Sequence, residues 1–362
     1  MTSPGDGPGP GPSTAKDSPH GGRRHPTKRM RAWALEIPGP ISSHPLRLVN
    51  KAPPQPGPNE IRVAVHTCGV CRTDLHLVEG DLPAHLPGVV PGHEIVGTVD
   101  EIGPGVSGFT GGERVGIAWL RHTCGACRWC TTGFENLCAS PRFTGWDDDG
   151  GYAEHAVVRA DFAYALPDAY DDLHAAPLLC AGIIGYRALR RARVPDGGSL
   201  MLYGFGGSAH IAAQVAMANH IEVHVRTRSA AARELALDLG AASADEPEVP
   251  PAEPVDSAIL FAPAGDLVPV ALQALGPGGV LAIAGIHLSA IPPLDYQRHL
   301  FNEREVRSVT ANTRSDAREL LDVAARVPLQ ISATRFPLDQ APEALVALSC
   351  GELTGAAVLA VS

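Results

Sequence analysis

Short apolar runs mark the first half of the chain. Ile61 to Val65, Glu94 to Val99, Arg114 to Ala118 and Ala153 to Val158 carry Val or Ile between clusters of Gly and Pro, which predicts strands of an irregular, barrel-like β domain from Arg31 to about Asp172. After Ala175 the period changes. Ser199 to Tyr203 reads as a strand, Gly204 to Gly207 as a glycine turn and Ser208 to Asn219 as a helix. Strands at Ile221 to Val225, Val255 to Ala262 and Val280 to Ile286 then alternate with helices at Ala230 to Leu239 and Leu267 to Leu275. That alternation builds a parallel sheet with right-handed crossovers, the doubly wound nucleotide-binding architecture. Beyond about Asn312, amphipathic helices at Ser315 to Ala325 and Pro342 to Ser349 and a strand at Gly355 to Val361 are expected to return to the first domain.

Composition sharpens this picture. At roughly 150 residues per domain, a chain of 362 residues predicts two domains. The net charge of −10 gives no basic footprint for nucleic acid or an anionic membrane. The longest apolar stretch, Val270 to Ile291, is broken by Gln273, Gly276, Pro277, Gly278 and Gly279, so it is no membrane span of about 20 apolar residues. Residues 1–29 hold six Pro and six Gly with five basic and two acidic residues; such a tail buries too little apolar surface to order itself. It has no apolar core of the kind that directs secretion. A reducing cytoplasm is therefore the expected location, and clustered cysteines there read as metal ligands.

Cys124, Cys127, Cys130 and Cys138 form C-x₂-C-x₂-C-x₇-C, with Gly125 and Gly133 for the turns. Four thiolates on one short lobe suit tetrahedral zinc and leave no position open for substrate, which predicts a structural site. An iron–sulfur cluster of the bacterial type closes with three intervening residues and a Pro, and disulfides run against the expected compartment. A second group is richer in proton-transfer chemistry. Cys68 to His76 reads Cys-Gly-Val-Cys-Arg-Thr-Asp-Leu-His, Gly92-His93-Glu94 follows, and Cys180 stands far downstream. A catalytic zinc takes about three protein ligands and keeps one position open, and Cys71, His93 and Cys180 can supply such a set. Taken singly, Cys180 fits equally as a small buried hydrophobe, and Cys68 with Cys71 as a redox pair.

Cys71-Arg72-Thr73-Asp74-Leu75-His76, Gly80, Pro91-Gly92-His93-Glu94-Ile95-Val96-Gly97, Gly112-Glu113-Arg114-Val115, the four-cysteine lobe, Gly150-Gly151-Tyr152-Ala153-Glu154 and Cys180 follow one another in this order. From about Met30 to the C-terminus the chain resembles the zinc-dependent alcohol dehydrogenases of the medium-chain dehydrogenase/reductase superfamily. The resemblance implies an α/β protein: a GroES-like β-rich catalytic domain (30–180 plus 313–362) interrupted by a Rossmann domain (181–312). It further implies that Cys71, His93 and Cys180 hold the catalytic zinc, that Glu94 joins or exchanges at the metal, and that Asp74 orients His93. Thr73 and His76 pass the alcohol proton outward, Trp119 lines the substrate pocket, Arg72 reaches the cofactor pyrophosphate, and the chain assembles as a homodimer or homotetramer.

Gly204-Phe205-Gly206-Gly207-Ser208-Ala209 fits G-x-G-x-x-G/A after a strand and before a helix, so Gly204, Gly206, Gly207 and Ala209 are assigned to the dinucleotide. The next strand ends in Val225-Arg226-Thr227-Arg228-Ser229, without the carboxylate that binds the ribose hydroxyls of NAD. An arginine there accommodates a 2′-phosphate, which favours NADP; Thr227 and Arg228 are counted with the cofactor residues. Gly355-Ala356-Ala357-Val358 stands where many members of the family have Gly-Arg-Val-Val, so a pyrophosphate arginine is missing and Arg314 is a candidate substitute. The expected activity interconverts a primary or secondary alcohol with its aldehyde or ketone. An NADPH-dependent reductase and a catalytically silent zinc- or nucleotide-binding redox sensor are the alternatives, and the intact Thr73 and His76 argue against the sensor.

Overall fold

Strand β1 (Met30–Leu35) pairs antiparallel with β2 (Leu46–Lys51). In β3 (Glu60–Val70), Ile61, Val63 and Val65 point inward in strict alternation, and from Thr67 onward every residue is buried. The strand therefore runs five residues past the expected Val65, because its end is covered on both faces and the period-two signal disappears there. β4 (Glu94–Ile102), β5 (Arg114–Ile117), β8 (His155–Arg159) and β9 (Ala163–Ala165) continue this layer, while β6 (Leu120–His122) and β7 (Arg142–Phe143) form a separate small pair. The coordinates are a computed structural model and describe residues 7, 9, 29–285, 288–351, 353 and 355–362. The tail 1–29 falls almost entirely outside them, as does Ile286 at the end of one expected strand.

The second layer is parallel throughout. β10 (Ser199–Tyr203), β11 (Glu222–Arg226), β12 (Ser243–Asp245), β13 (Val255–Leu260), β14 (Leu275–Ile283) and β15 (Glu305–Ser308) lie in the order β12-β11-β10-β13-β14-β15. This is the Rossmann order, and it reverses between β10 and β13, where ligands bind at the carboxyl ends of the strands. The chain then adds β16 (Ala333–Pro337) and β17 (Ala356–Ala360); β17 pairs antiparallel with residues 67–70 of β3, beside the stretch where residues 60–64 pair with β8. The result is a GroES-like β-rich sheet joined to a doubly wound one. β12 and β15 escaped the sequence reading because they are short, polar edge strands without an apolar run.

Three helices set the site. α1 (Arg72–Glu79) starts at Cys71, whose N–H donates to Asp74 Oδ2 at 2.9 Å, and stops at Gly80 in the left-handed conformation, φ 91°. That geometry is a capping box closed by a left-handed C-cap. α2 (Ala181–Ala192) starts at Cys180, and α3 (Gly207–Ala218) at the glycine turn. After α4 (Ala230–Asp238) and α5 (Leu267–Ala274), α6 (Arg314–Arg326) packs Ala317, Leu320, Leu321 and Ala324 into a core shared with Tyr164, Leu166 and Leu178 on one side and Ile183, Ile211 and Val215 on the other. α7 (Ala341–Cys350) closes the β layer. Among the described residues no helix is long and apolar enough to cross a membrane.

Candidate active site and metal centres

The ends of separate elements converge on one point. Cys71 follows β3, His93 precedes β4 and Glu94 opens it, and Cys180 precedes α2; their ligand atoms lie within 4.8 Å of one another. The sulfurs of Cys71 and Cys180, 109 residues apart in sequence, are 3.8 Å apart. The hydrogen bond from Cys180 draws the Cys71 pKa well below the usual thiol value, and the same contact, with burial, pushes Cys180 well above it.

His93 is oriented from behind. Its Nδ1 lies 3.0 Å from Asp74 Oδ1, which also accepts from the Gly92 N–H at 3.1 Å; Asp74 Oδ2 accepts from Cys71 N–H and, at 3.4 Å, from the Tyr152 hydroxyl. Burial opposes protonation of His93, yet Asp74 and the Cys71 sulfur lift its pKa well above the ordinary histidine value. Its Nε2 is buried and has no hydrogen-bond partner. A buried polar atom left in that condition is costly, and a metal ligand backed by a carboxylate has this form. Two thiol sulfurs, this nitrogen and the Glu94 carboxylate are a donor set that fits zinc.

Glycine makes the room. A Cβ at Gly69 would collide with the Glu94 carboxylate, and one at Gly92, at φ 98°, would meet the Tyr152 ring and Cys68 Sγ. Burial, then the Cys71 charge, raise the Glu94 pKa well above the carboxylate range. Cys68 is buried in the hydrophobic core and donates to its own neighbour's carbonyl, Gly69, at 3.5 Å, so Cys71 faces Cys180 and the redox-pair alternative loses its geometry. Thr73 Oγ1 lies 3.8 Å from Cys71 Sγ and is buried. His76 Nδ1 is 3.0 Å from Asp81 Oδ2 nearer the surface. Trp119 stands edge-on to His93, ring centres 4.9 Å apart, and stacks with Phe143 at 5.0 Å and Trp146 at 5.8 Å; Trp146 in turn stacks on His85 at 4.1 Å. Phe143, Trp146 and His85 are contributors that sequence reasoning missed, and Gly69 and Tyr152 stood in its motifs without a part in the site, since those parts depend on distant segments folding together.

Cys124, Cys127, Cys130 and Cys138 converge in the same way, their sulfurs within 4.8 Å of one another. The N–H groups of Cys127 and Cys124 donate to Cys124 Sγ and Cys138 Sγ at 3.3 Å. Backbone donors lower Cys127 to about 6, whereas desolvation raises Cys130 to about 11. Next to this lobe, Glu135 binds the Arg314 guanidinium through both carboxylate oxygens, at 3.0 and 2.6 Å to Oε2 and 3.1 Å to Oε1, and Asp161 takes its other side at 2.9 Å. Arg314 is therefore a strut between the lobe and α6, which corrects its proposed service to the pyrophosphate.

At the glycine turn, Gly204 has φ 87°, and a Cβ there would lie 2.9 Å from the Ala262 nitrogen. Gly206 and Gly207 are exposed, with open space where side chains would be except for Ala181 Cβ at 3.5 Å from Gly207. The first amides of α3 thus face an open cradle, the geometry of a phosphate site. Ala209 is fully buried and packs helix to sheet instead of facing that cradle. Arg226 is equally buried, paired with Asp245 at 2.8 Å and donating to the Val249 carbonyl, so it is committed to the fold. Thr227 is buried, its N–H on the Asp245 carbonyl. Arg228 is exposed and has no side-chain partner among the described residues, and Arg72 is exposed at the start of α1.

Residues 57–168 match the family of alcohol dehydrogenase GroES-like domains. The chain is 59% identical to a probable alcohol dehydrogenase, AdhA, of Mycobacterium tuberculosis over 92% of its own length and 98% of the relative's. It is 36% identical to an alcohol dehydrogenase of Geobacillus stearothermophilus over 83% and 91% of the two chains. The solved structure of a cobalt- and zinc-bound thermostable alcohol dehydrogenase from Pyrobaculum aerophilum superposes with a TM-score of 0.83 at 30% identity, covering 92% of this chain and all of that one. On this sequence kinship, and on a fold shared over 92% of its length, the chain belongs to the zinc-dependent alcohol dehydrogenases of the medium-chain dehydrogenase/reductase superfamily.

Proposed function

We propose that the chain interconverts a primary or secondary alcohol with its aldehyde or ketone by hydride transfer to or from NAD(P). One zinc is held by Cys71, His93 and Cys180, with Glu94 at hand, and a second by the four-cysteine lobe. The observation that carries the reading is the partnerless, buried His93 Nε2 beside two sulfurs 3.8 Å apart. When bound, zinc supplies Lewis acidity at the substrate oxygen and the nicotinamide accepts or returns the hydride. Asp74 keeps Nδ1 of His93 occupied, so that Nε2 is the free donor. Thr73 takes the substrate proton at its hydroxyl, and His76, paired with Asp81, passes it to solvent; an imidazole titrates in the range this needs. Trp119 and its stacked neighbours shield one side of the site from water. The amides at Gly206 and Gly207 and the guanidinium of Arg72 bind the pyrophosphate, with 181–312 as the cofactor domain and 30–180 plus 313–362 as the catalytic one. A reducing cytoplasm, which keeps the thiols available, belongs to the same proposal. So does a homodimer or homotetramer: β15 ends the parallel sheet with Val306 exposed, and a monomer in light scattering would refute that assembly.

Metal analysis should return about two zinc ions per chain, and the loaded protein should consume NAD(P)H with an aldehyde panel. Absence of turnover with every alcohol and aldehyde in both directions would leave the silent sensor as the better reading. NADP is favoured because Arg228 is exposed and uncommitted. Arg228→Asp should weaken NADP, by roughly tenfold or more for a lost charged phosphate contact, and leave NAD nearly unchanged. Equal effects on both cofactors would remove the assigned role. The same preference supports an NADPH-driven reductase as the physiological direction.

A further inference from the structure

α2 starts at a metal-ligand residue and α3 starts at the glycine turn, so the crossing of these two helices fixes the spacing between the two halves of the site. Cys180 is the N-cap residue of α2, its carbonyl accepting from the Ile184 N–H at 2.9 Å, and Gly206 is the N-cap residue of α3. The helices meet at Gly185. A Cβ there would lie 2.5 Å from the Ser208 carbonyl oxygen and 3.3 Å from Ala212 Cβ, in the first turns of α3. One turn nearer the site, Ala181, next to Cys180, has its Cβ 3.5 Å from where a Cβ on Gly207 would stand. Gly185 is buried within the α2 helix and is not among the residues of positive φ. Glycine disfavours a helix interior, so its conformational freedom is not what the position uses; the close approach is.

We infer that Gly185 is a positioning residue for hydride transfer: it lets α3 seat against α2 so that the dinucleotide turn sits at a fixed distance from the Cys180 sulfur. The inference rests on the function proposed above. The Ser208 carbonyl is backbone and cannot swing aside as a side-chain end would, so an added methyl group must move α3 relative to Cys180. A displacement near 1 Å between reacting groups costs about a hundredfold in rate.

The test uses the zinc-loaded, full-length chain. Gly185→Ala is expected to lower kcat tenfold or more and to enlarge the isotope effect on kcat with a C1-deuterated alcohol. It should also raise the NADPH dissociation constant several-fold in a fluorescence titration, with zinc content unchanged. Gly182→Ala is the control on the same helix. Its Cβ would meet side-chain atoms alone, the Leu320 Cδ2 methyl at 2.8 Å and, in ordinary contact, Leu178 Cδ2 at 3.4 Å and Cβ at 3.6 Å; a rotamer change of Leu320 relieves the close approach, and all four readouts should stay at wild type. If Gly185→Ala behaves like Gly182→Ala, the inference is overturned. Should Gly185→Ala fail to fold, Ala181→Val presses on Gly207 at the same contact and carries the same expectations, and wild-type behaviour there overturns it equally. A wild type that binds NADPH but turns over no alcohol would refute the proposed function and leave the helix coupling to be decided by the nucleotide titration. A wild type that binds no dinucleotide would overturn both.

Discussion

Cys180→Ala is expected to abolish turnover while the four-cysteine lobe keeps its metal. The Cys180 sulfur lies 3.8 Å from that of Cys71, and both belong to the group around the unpartnered nitrogen of His93. Removing one sulfur leaves a thiol, an imidazole and a carboxylate, and loses the soft ligand pair that selects zinc over harder ions. The Lewis acidity at stake is worth several kcal/mol of transition-state stabilisation, so at 1.36 kcal/mol per decade the loss is about a thousandfold or more. The lobe is a separate group of ligands, so metal analysis should fall from about two zinc to about one per chain. Activity within tenfold of wild type at one zinc per chain would mean that Cys180 is core packing and that the metal chemistry lies elsewhere.

The two sulfur clusters differ in how far they could be read from sequence. The lobe is local: its four ligands fall within fifteen positions, and their spacing carries the geometry. The catalytic set is not local. Cys71 and His93 are 22 positions apart, but Cys180 comes from 109 residues beyond Cys71 in an apolar run; ligand chemistry made it a candidate that fitted equally as a buried hydrophobe, and the order of motifs shared with a family favoured the ligand. The parallel sheet was legible because its central strands are buried on both faces and read as continuous apolar runs between helices. Its edges were not, since Ser243–Asp245 and Glu305–Ser308 are polar and partly exposed. Charge was the least legible feature. Arg226 and Arg314 looked like free cations for a phosphate, yet one is closed off by Asp245 and the other by Glu135 and Asp161. An arginine is free only if no carboxylate reaches it, and those carboxylates are 19 and up to 179 residues away along the chain. Gly69 was similarly opaque: only the fold places the Glu94 carboxylate where its side chain would be.

Arg187→Ala should be the most destabilising substitution on the cofactor side of the molecule. Arg187 Nη1 donates to Asp316 Oδ2 at 2.6 Å, with Asp316 only 2% exposed, and this pair ties α2 to α6. Asp316 has a second duty: it accepts from Thr313 N–H at 2.8 Å and from the Thr313 hydroxyl at 2.7 Å, closing the capping box that starts α6. Without the guanidinium the carboxylate stays buried, held by Thr313 and by Arg190 at 3.8 Å. Breaking a buried pair from one side costs about 3–5 kcal/mol, and these residual partners place the expected loss near about 3 kcal/mol. The exposed Arg190–Glu319 pair next to it, worth at most about 1 kcal/mol, offsets little. Urea unfolding monitored by circular dichroism measures the change. Arg187→Met keeps most of the side-chain volume and should lose nearly as much, which separates charge from packing. Adding Asp316→Asn to Arg187→Met removes the stranded charge and should restore part of the stability, the coupling a double-mutant cycle reads. A double variant no more stable than Arg187→Met alone would show that the loss came from packing and that the buried pair contributes nothing of its own.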